Sequence, residues 1–217
     1  MDEAAGTMDM RGAETSRSRA GQENVERILD RALEIFATFG FRGTRIDQIA
    51  SAAGLSKTNL LYYFRRKEDL YLAVLQRTLD MWLEPLQSLD AGGDPERAIE
   101  AYIRQKLSAS RDAPAASRLF ALEVIQGAPI LGPVLETQLA DLVDRKATTI
   151  QSWIDAGKIV AVSPRHLIYT IWSVTQHYAD FAAQIRAIEG RDLSDPVFFE
   201  DTCRTVTQLV LRGILPR

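Results

Sequence analysis

The stretch SKTNLLYYFRRKEDL, residues 56–70, gathers side chains suited to reading a nucleic acid. Lys57 can reach guanine acceptors or a phosphate, and Asn59 can address adenine through its carboxamide. Leu61 can pack on a thymine methyl, and the Tyr62 hydroxyl can bind a phosphate. On a helix of about 100° per residue with Leu60 turned inward, Tyr63 and Phe64 fall toward the core. Thr58, Tyr62 and Arg65 then fall on the opposite side. The spacing predicts Lys57, Thr58, Asn59, Leu61 and Tyr62 as an exposed reading set. Thr44 and Arg45, at the start of the preceding helix, are further phosphate candidates, as is Lys67 with the free N–H groups that open the following helix.

A second constellation lies in IWSVTQHYADFA, residues 171–182. At helical spacing Ile168, Trp172, Gln176, Ala179 and Ala183 form one stripe, and Val174, Phe181, Ile185 and Ile188 form another, roughly opposite. A helix apolar on two sides is expected to be buried on both, one side toward a ligand cavity and the other toward a partner subunit. A carboxamide in an apolar stripe must find partners or cost about 1–3 kcal/mol. Gln176 can match the adjacent carbonyl and N–H of a small heterocycle, with Trp172 as a stacking surface. A neighbouring helix or a buried water can satisfy it equally well. Trp82 is a weaker cavity candidate, and Asp180 sits at the edge of the same stripe. His177 with Asp180 makes a poor metal site in a chain with two histidines and one cysteine, so no metal or cofactor is expected. Nor does the chain offer a nucleophile–base pair or phosphate loop, which argues against an enzyme.

These groups need elements to hold them. Apolar residues recur at helical spacing from Val25 to Phe39, and Gly40 ends that helix. Thr44 can cap a short second helix, RIDQIASAA, which Gly54 closes; Ser56 can cap a third of about two turns. Ala53-Gly54-Leu55-Ser56 supplies what a helix-turn-helix connection requires: a glycine for the left-handed turn, an apolar residue to pin the corner and a cap for the reading helix. Ile46, Ile49, Ala50 and Leu55 are its expected wedge. A fourth helix is expected from Lys67 to about Leu89, with a kink at Pro85. Beyond the AGGDP break, helices are expected over 95–111, 114–127, 131–156, 164–189 and 195–213. The last adds Phe198, Phe199, Val206, Leu209 and Val210 to an expected dimer interface.

The absence of an alternating strand pattern makes the expected fold all-α, and the composition is that of a soluble globular protein: 217 residues, 46% hydrophobic and 25% charged, with net charge −3. From Phe41 to Lys67, however, six bases meet one acid, Asp47, as expected for a local DNA-binding footprint on an acidic chain. The single cysteine suits a reducing cytoplasm, and no apolar run approaches a membrane span. The organisation expected is a disordered arm at 1–20 carrying Arg17 and Arg19, a three-helix bundle with the helix-turn-helix at 21–67, and a helical ligand-binding and dimerisation domain at 68–217.

FGFRGTRIDQIASAAGLSKTNLLYYFRRKEDLYLAVL, residues 39–75, resembles the N-terminal domain of TetR-type transcriptional regulators. That resemblance implies an all-α homodimer that leaves a palindromic double-stranded operator when a small molecule fills its C-terminal domain. Many members carry LYYHF here; this chain has Leu60-Leu61-Tyr62-Tyr63-Phe64, which makes Tyr62 the phosphate candidate and frees Leu61 for a base. SKTNLLYYF, WLEPL, SRDAPAASRLF, SWIDAGK and IWSVTQHYADFA are similar to the pyrimidine-responsive branch of that family, over roughly residues 20–217. That similarity implies a repressor of pyrimidine utilisation, cytoplasmic at the nucleoid, answering to uracil or thymine. The alternatives are a regulator of the same kind with another effector, an enzyme acting on a pyrimidine, and a helical adaptor for an acidic protein.

Overall fold

The computed structural model describes the backbone of residues 6–216 and the side chains of residues 21–216. The arm expected to be disordered at 1–20 is instead helical from Gly6, where it forms the first part of the first helix, while its side chains, Arg17 and Arg19 included, lie outside those described. Among the described residues the chain is helical with no strand. It divides into two compact units, Met1–Val74 and Leu75–Arg217, the division falling within its fourth helix.

The first unit is built from α1 (Gly6–Gly43), α2 (Ile46–Ala52), α3 (Lys57–Tyr63) and the start of α4 (Lys67–Gln87). Ile28, Leu29, Ala32 and Phe36 are the buried face of α1. At Gly40 the backbone leaves helical values (φ 68°, ψ 173°) and one further turn follows to Gly43. Phe39 belongs to the sequence period yet is exposed, because the chain turns away at the next residue. Ile49 and Ala50 of α2 and Leu60 of α3 complete the core. Phe36 and Phe41 meet the Tyr71 ring at centroid distances of 4.9 Å each.

The cap expected at Thr44 sits elsewhere. The α2 N-cap is Arg45, whose N–H donates to Gln48 Oε1 at 2.9 Å. Thr44 is buried and its hydroxyl donates to the Gly40 carbonyl at 2.7 Å. A glutamine at the third helical position has replaced the hydroxyl cap that the pattern suggested.

The second unit comprises the rest of α4 with α5 (Pro95–Asp112), α6 (Pro114–Ile125), α7 (Gly132–Val134), a π-helical turn (Leu135–Leu139), α8 (Ala140–Asp155), α9 (Pro164–Asp180), α10 (Ala182–Glu189) and α11 (Pro196–Ile214). Pro85 lies in the last turn of α4, which ends two residues later. Prolines open α5, α6, α9 and α11 at positions whose N–H has no helical partner. Asp195 Oδ1 caps α11 by accepting the Phe198 N–H at 2.8 Å. α9 is central, packing on α5, α6 and α8. Each fully buried Leu, Ile or Phe at these contacts contributes roughly 1.5–3 kcal/mol.

Two long helices expected here are interrupted. The one at 131–156 is divided by the π turn. The one at 164–189 breaks at Phe181 (φ −111°, ψ 26°), with neither glycine nor proline to announce it. The apolar faces of α9–α11 also divide. Ile185, Phe199, Val206 and Val210, expected at a partner interface, are buried within this chain. Phe181, Ile188, Val197 and Leu209 remain exposed, Leu209 at 71%.

Candidate DNA-reading surface and effector cavity

In the first unit, α2 closes with the Ala53 and Leu55 N–H groups donating to the carbonyls of Ile49 and Ala50, both at 2.9 Å. Gly54 between them takes φ +67°, a left-handed value that a side chain disfavours. Ser56 then turns extended, and its Oγ accepts the Asn59 N–H at 3.1 Å to cap α3. Leu60 faces inward without exposure, which sets the rotation of the helix. Lys57, Thr58 and Asn59 are consequently exposed, Leu61 is half-exposed and Tyr62 stands 83% exposed. Tyr63 turns back: its hydroxyl accepts from Asn24 Nδ2 of α1 at 3.1 Å, and its ring takes Tyr62 edge-on at 5.4 Å.

Asp47, the acid of the basic run, is the hub of the outward charges. Its carboxylate lies 3.2 Å from Lys57 Nζ and 3.7 Å from Arg45 Nη2. Exposed pairs of this kind contribute about 0–1 kcal/mol, so both cations can be transferred to a phosphate at little cost. Arg66 is instead tied to Asp69, by a 2.7 Å side-chain bond and by the Arg66 N–H on Oδ2 at 3.1 Å. The guanidinium holds the Asp69 carboxyl below the usual range.

Lys67 and Thr44 form an internal joint. Lys67 Nζ donates to the carbonyls of Phe41 at 2.8 Å and Thr44 at 3.0 Å, and lies 4.4 Å from the Phe41 ring centroid. The Thr44 hydroxyl is 2% exposed and bonded to Gly40. Both residues were expected to face phosphate. The structure has both side chains holding the end of α1 against the starts of α2 and α4. Arg65, exposed just past α3, is the neighbouring cation the sequence placed on the outer face without singling it out.

The second unit encloses a cavity of about 230 Å³ that includes Trp82, Lys106, Phe120, Leu139, Trp172 and Gln176 in its walls. At about 30 Å³ per water, this is room for several waters or one small ring. Trp82, Trp172 and Gln176, three of the four residues expected at a ligand, therefore line one space. Trp172 Nε1 donates to the buried Tyr102 hydroxyl at 2.6 Å, which fixes its ring; burial pushes the Tyr102 phenol above its ordinary range. Trp82 Nε1 is buried and has no hydrogen-bond partner among the described residues.

Asp180 does not line the cavity. Its Oδ1 accepts from the Ser117 hydroxyl of α6, and burial raises its carboxyl against the opposing effects of Ser117, Lys106, His177 and Arg118. His177 is exposed and stacks on Phe181 at 4.9 Å. Among the described residues no cluster of three metal-ligating side chains occurs.

The residue that sequence reasoning missed is Lys106. It is 2% exposed, with its Nζ 3.7 Å from the Trp82 ring centroid. The signal was present: Ile99, Tyr102, Ile103, Lys106, Leu107 and Ser110 form one buried helical stripe. Two walls come from the π turn through Leu135 and Leu139. The loop before that turn is pinned by buried Glu123, whose Oε1 accepts the N–H groups of Ile130 and Leu131 at 2.7 and 3.0 Å.

Comparison with known proteins adds to this geometry. Residues 28–74 match the family described as bacterial regulatory proteins, tetR family, and residues 75–217 match the YcdC-like protein, C-terminal region. The chain is 50% identical over 201 residues to the HTH-type transcriptional regulator RutR of Escherichia coli and of Shigella flexneri, covering 93% of this chain and 95% of RutR. Among solved structures it resembles AibR in complex with isovaleryl coenzyme A and operator DNA (TM-score 0.66, 15% identity, 86% and 97% of the two chains). It also resembles the fatty acid degradation regulator FadR from Bacillus halodurans (TM-score 0.66, 17% identity, 86% and 94% covered). At these identities the structures establish the fold alone.

Proposed function

The chain belongs to the TetR family of DNA-binding transcriptional regulators, and from that premise we propose that it is a repressor released from a palindromic operator when uracil or thymine fills the cavity of its second unit. The observation that carries the effector assignment is the shared wall: Trp82, Trp172 and Gln176 around about 230 Å³. A tryptophan face stacks on a planar ring, and a carboxamide pairs with adjacent ring carbonyl and N–H groups. The half-identical relative RutR supports the same reading. A different small molecule in the same cavity is the alternative.

On the DNA side, Lys57, Thr58, Asn59, Leu61 and Tyr62 read the major groove or its phosphates, and Arg45 binds the backbone. Two copies present two such helices, paired through the exposed apolar residues Phe181, Ile188, Val197 and Leu209. DNA requires a separation of about 34–36 Å, and the effector favours another, so that binding shifts the population away from the operator-competent form. The protein acts in the cytoplasm, at the nucleoid.

The test combines titration calorimetry with an operator gel shift. Uracil or thymine is expected to bind and to weaken the shifted band. If neither gives heat nor alters the shift, the effector assignment is wrong. Leu209→Glu is expected to give monomers by light scattering; an unchanged dimer moves the interface elsewhere.

A further inference from the structure

Among the residues lining the cavity, Lys106 is the only titratable one, and it is almost completely buried. Its surroundings offer it little. α4 presents Leu79, Trp82 and Leu83, and the π turn presents leucines. α9 presents Trp172 and Gln176 to the cavity, with Asp180 further along in electrostatic reach but hydrogen-bonded to Ser117. From α6 come Phe120 and Val124; Arg118 acts on Asp180, and Glu123 holds the Ile130 and Leu131 N–H groups. His177, which also acts on Asp180, is exposed. The Trp82 ring face, 3.7 Å from Nζ, is the closest partner described for the amine.

Such a site discriminates among ligands by charge. A strong anion must lose its hydration before reaching the amine, which disfavours its entry. A neutral amide with no acidic proton leaves the amine as it was. A weakly acidic ring imide enters neutral and can form both members of a charge pair after arrival, by giving its proton to the amine. Resting on the effector-cavity reading above, we propose that Lys106 makes this a site for weakly acidic ring imides, bound as an ion pair: the ring N–H proton passes to the Lys106 amine, and the ring anion stays beside the ammonium so formed. The proton count is closed, since the proton that leaves ring nitrogen is the one that charges lysine. Burial drives the amine well below the usual lysine range, so it stands uncharged with its lone pair free before the ligand arrives, and the attraction between ring anion and ammonium has to make up for the weakened base. The Trp82 N–H, without an acceptor, and the Gln176 carboxamide remain for the ring oxygens.

The experiment uses the full-length protein and two size-matched pairs: uracil with 5-fluorouracil, and thymine with 5-chlorouracil. In each pair the halogen makes the ring N–H more acidic with little change of shape. The expected result is tighter binding of each halogenated partner, approaching tenfold per unit of ligand pKa, with the ligand's ultraviolet band in the complex shifted to that of its anion. Lys106→Met, which keeps the length and removes the amine, is expected to bind all four about tenfold or more weakly, with no acidity trend and a neutral-ligand band. Wild-type binding that is tight but flat within both pairs, with a neutral band, overturns the role of Lys106 and leaves the cavity reading intact. If no member of the series binds or affects the operator shift, the cavity reading fails and this inference fails with it. The wild-type arms decide the question even if the variant does not fold.

Discussion

Lys67 is the position where a structural and a DNA-contacting role predict opposite measurements. Replacing it with Met removes two bonds from an ammonium to the Phe41 and Thr44 carbonyls and a cation over the Phe41 ring. Hydrogen bonds to a charged group contribute about 1.5–3 kcal/mol each, and an exposed cation–π contact about 0.5–1. The side chain is half-buried, so water reaches part of the vacated site and the lower values apply. The expected loss is about 3.5 kcal/mol, seen as a melting temperature lowered at roughly 2–4 °C per kcal/mol by circular dichroism. Below its melting temperature the variant should hold the operator with an unchanged salt dependence, because no phosphate contact has gone. A contact residue behaves the other way. Its loss leaves melting unaltered, weakens binding and reduces the slope of log K against log salt by about 0.9. Observing that second pattern for Lys67→Met would falsify the assignment of Lys67 to the internal joint.

Three further outcomes follow from the same geometry. Gly54→Ala meets no atom within 4 Å of the new Cβ, so only the left-handed backbone is penalised, about 1–2 kcal/mol by denaturant unfolding; a loss above 4 kcal/mol would mean an unseen steric conflict. Tyr62→Ala, at an exposed position, should change stability by less than about 0.5 kcal/mol and yet weaken operator binding in a gel shift, and normal affinity would remove Tyr62 from the reading surface. Lys106→Met should melt higher than wild type near neutrality. The folded state disfavours the ammonium, so wild type is without penalty above the unfolded lysine pKa of about 10.4. It loses stability as pH falls, until the folded pKa is passed. The gap between the two proteins should therefore widen downward from about pH 10.4 by up to 1.36 kcal/mol per unit, and a gap independent of pH would refute the buried-amine account.

The cap and rotation of α3 were legible because their determinants are local. Gly54 supplies the turn, Ser56 caps within three residues, and Leu60 alone fixes which side of two turns faces out. The joint beneath it was not. Lys67 and Thr44 are 23 residues apart, and nothing in either neighbourhood says that one side chain ends on the other's carbonyl. The cap of α2 slipped by one residue because Gln48 reaches back from inside the helix. The cavity was half legible: Trp172 and Gln176 share a stripe at i, i+4, while Asp180 lies four further along and is drawn off by Ser117 from another helix. The break at Phe181 carries no proline or glycine, so periodicity ran through it.

Charge is handled in opposite ways in the two units, and the difference matters for a switch. On the reading surface Lys57 and Arg45 rest against Asp47 in water, where each pair contributes about 0–1 kcal/mol. On the proposed surface, exchanging Asp47 for phosphate would therefore be nearly neutral, and DNA binding there is expected to respond mainly to salt and to the spacing of two helices. In the cavity one amine is held out of water, with no carboxylate among the described residues bonded to it. A ligand can shift a two-state equilibrium only by its differential affinity, and moving it from 1:99 to 99:1 takes about 5.5 kcal/mol. Hydrogen bonds between neutral groups contribute about 0.5–1.5 kcal/mol each, so a small ring making three or four of them falls short or barely reaches that figure. A ring anion beside the ammonium would add a charge–charge attraction that no neutral ligand can make at that atom. On the ion-pair proposal a small effector gains its leverage from that atom, so the lysine, rather than the tryptophans around it, is the residue whose loss should uncouple effector binding from release of DNA.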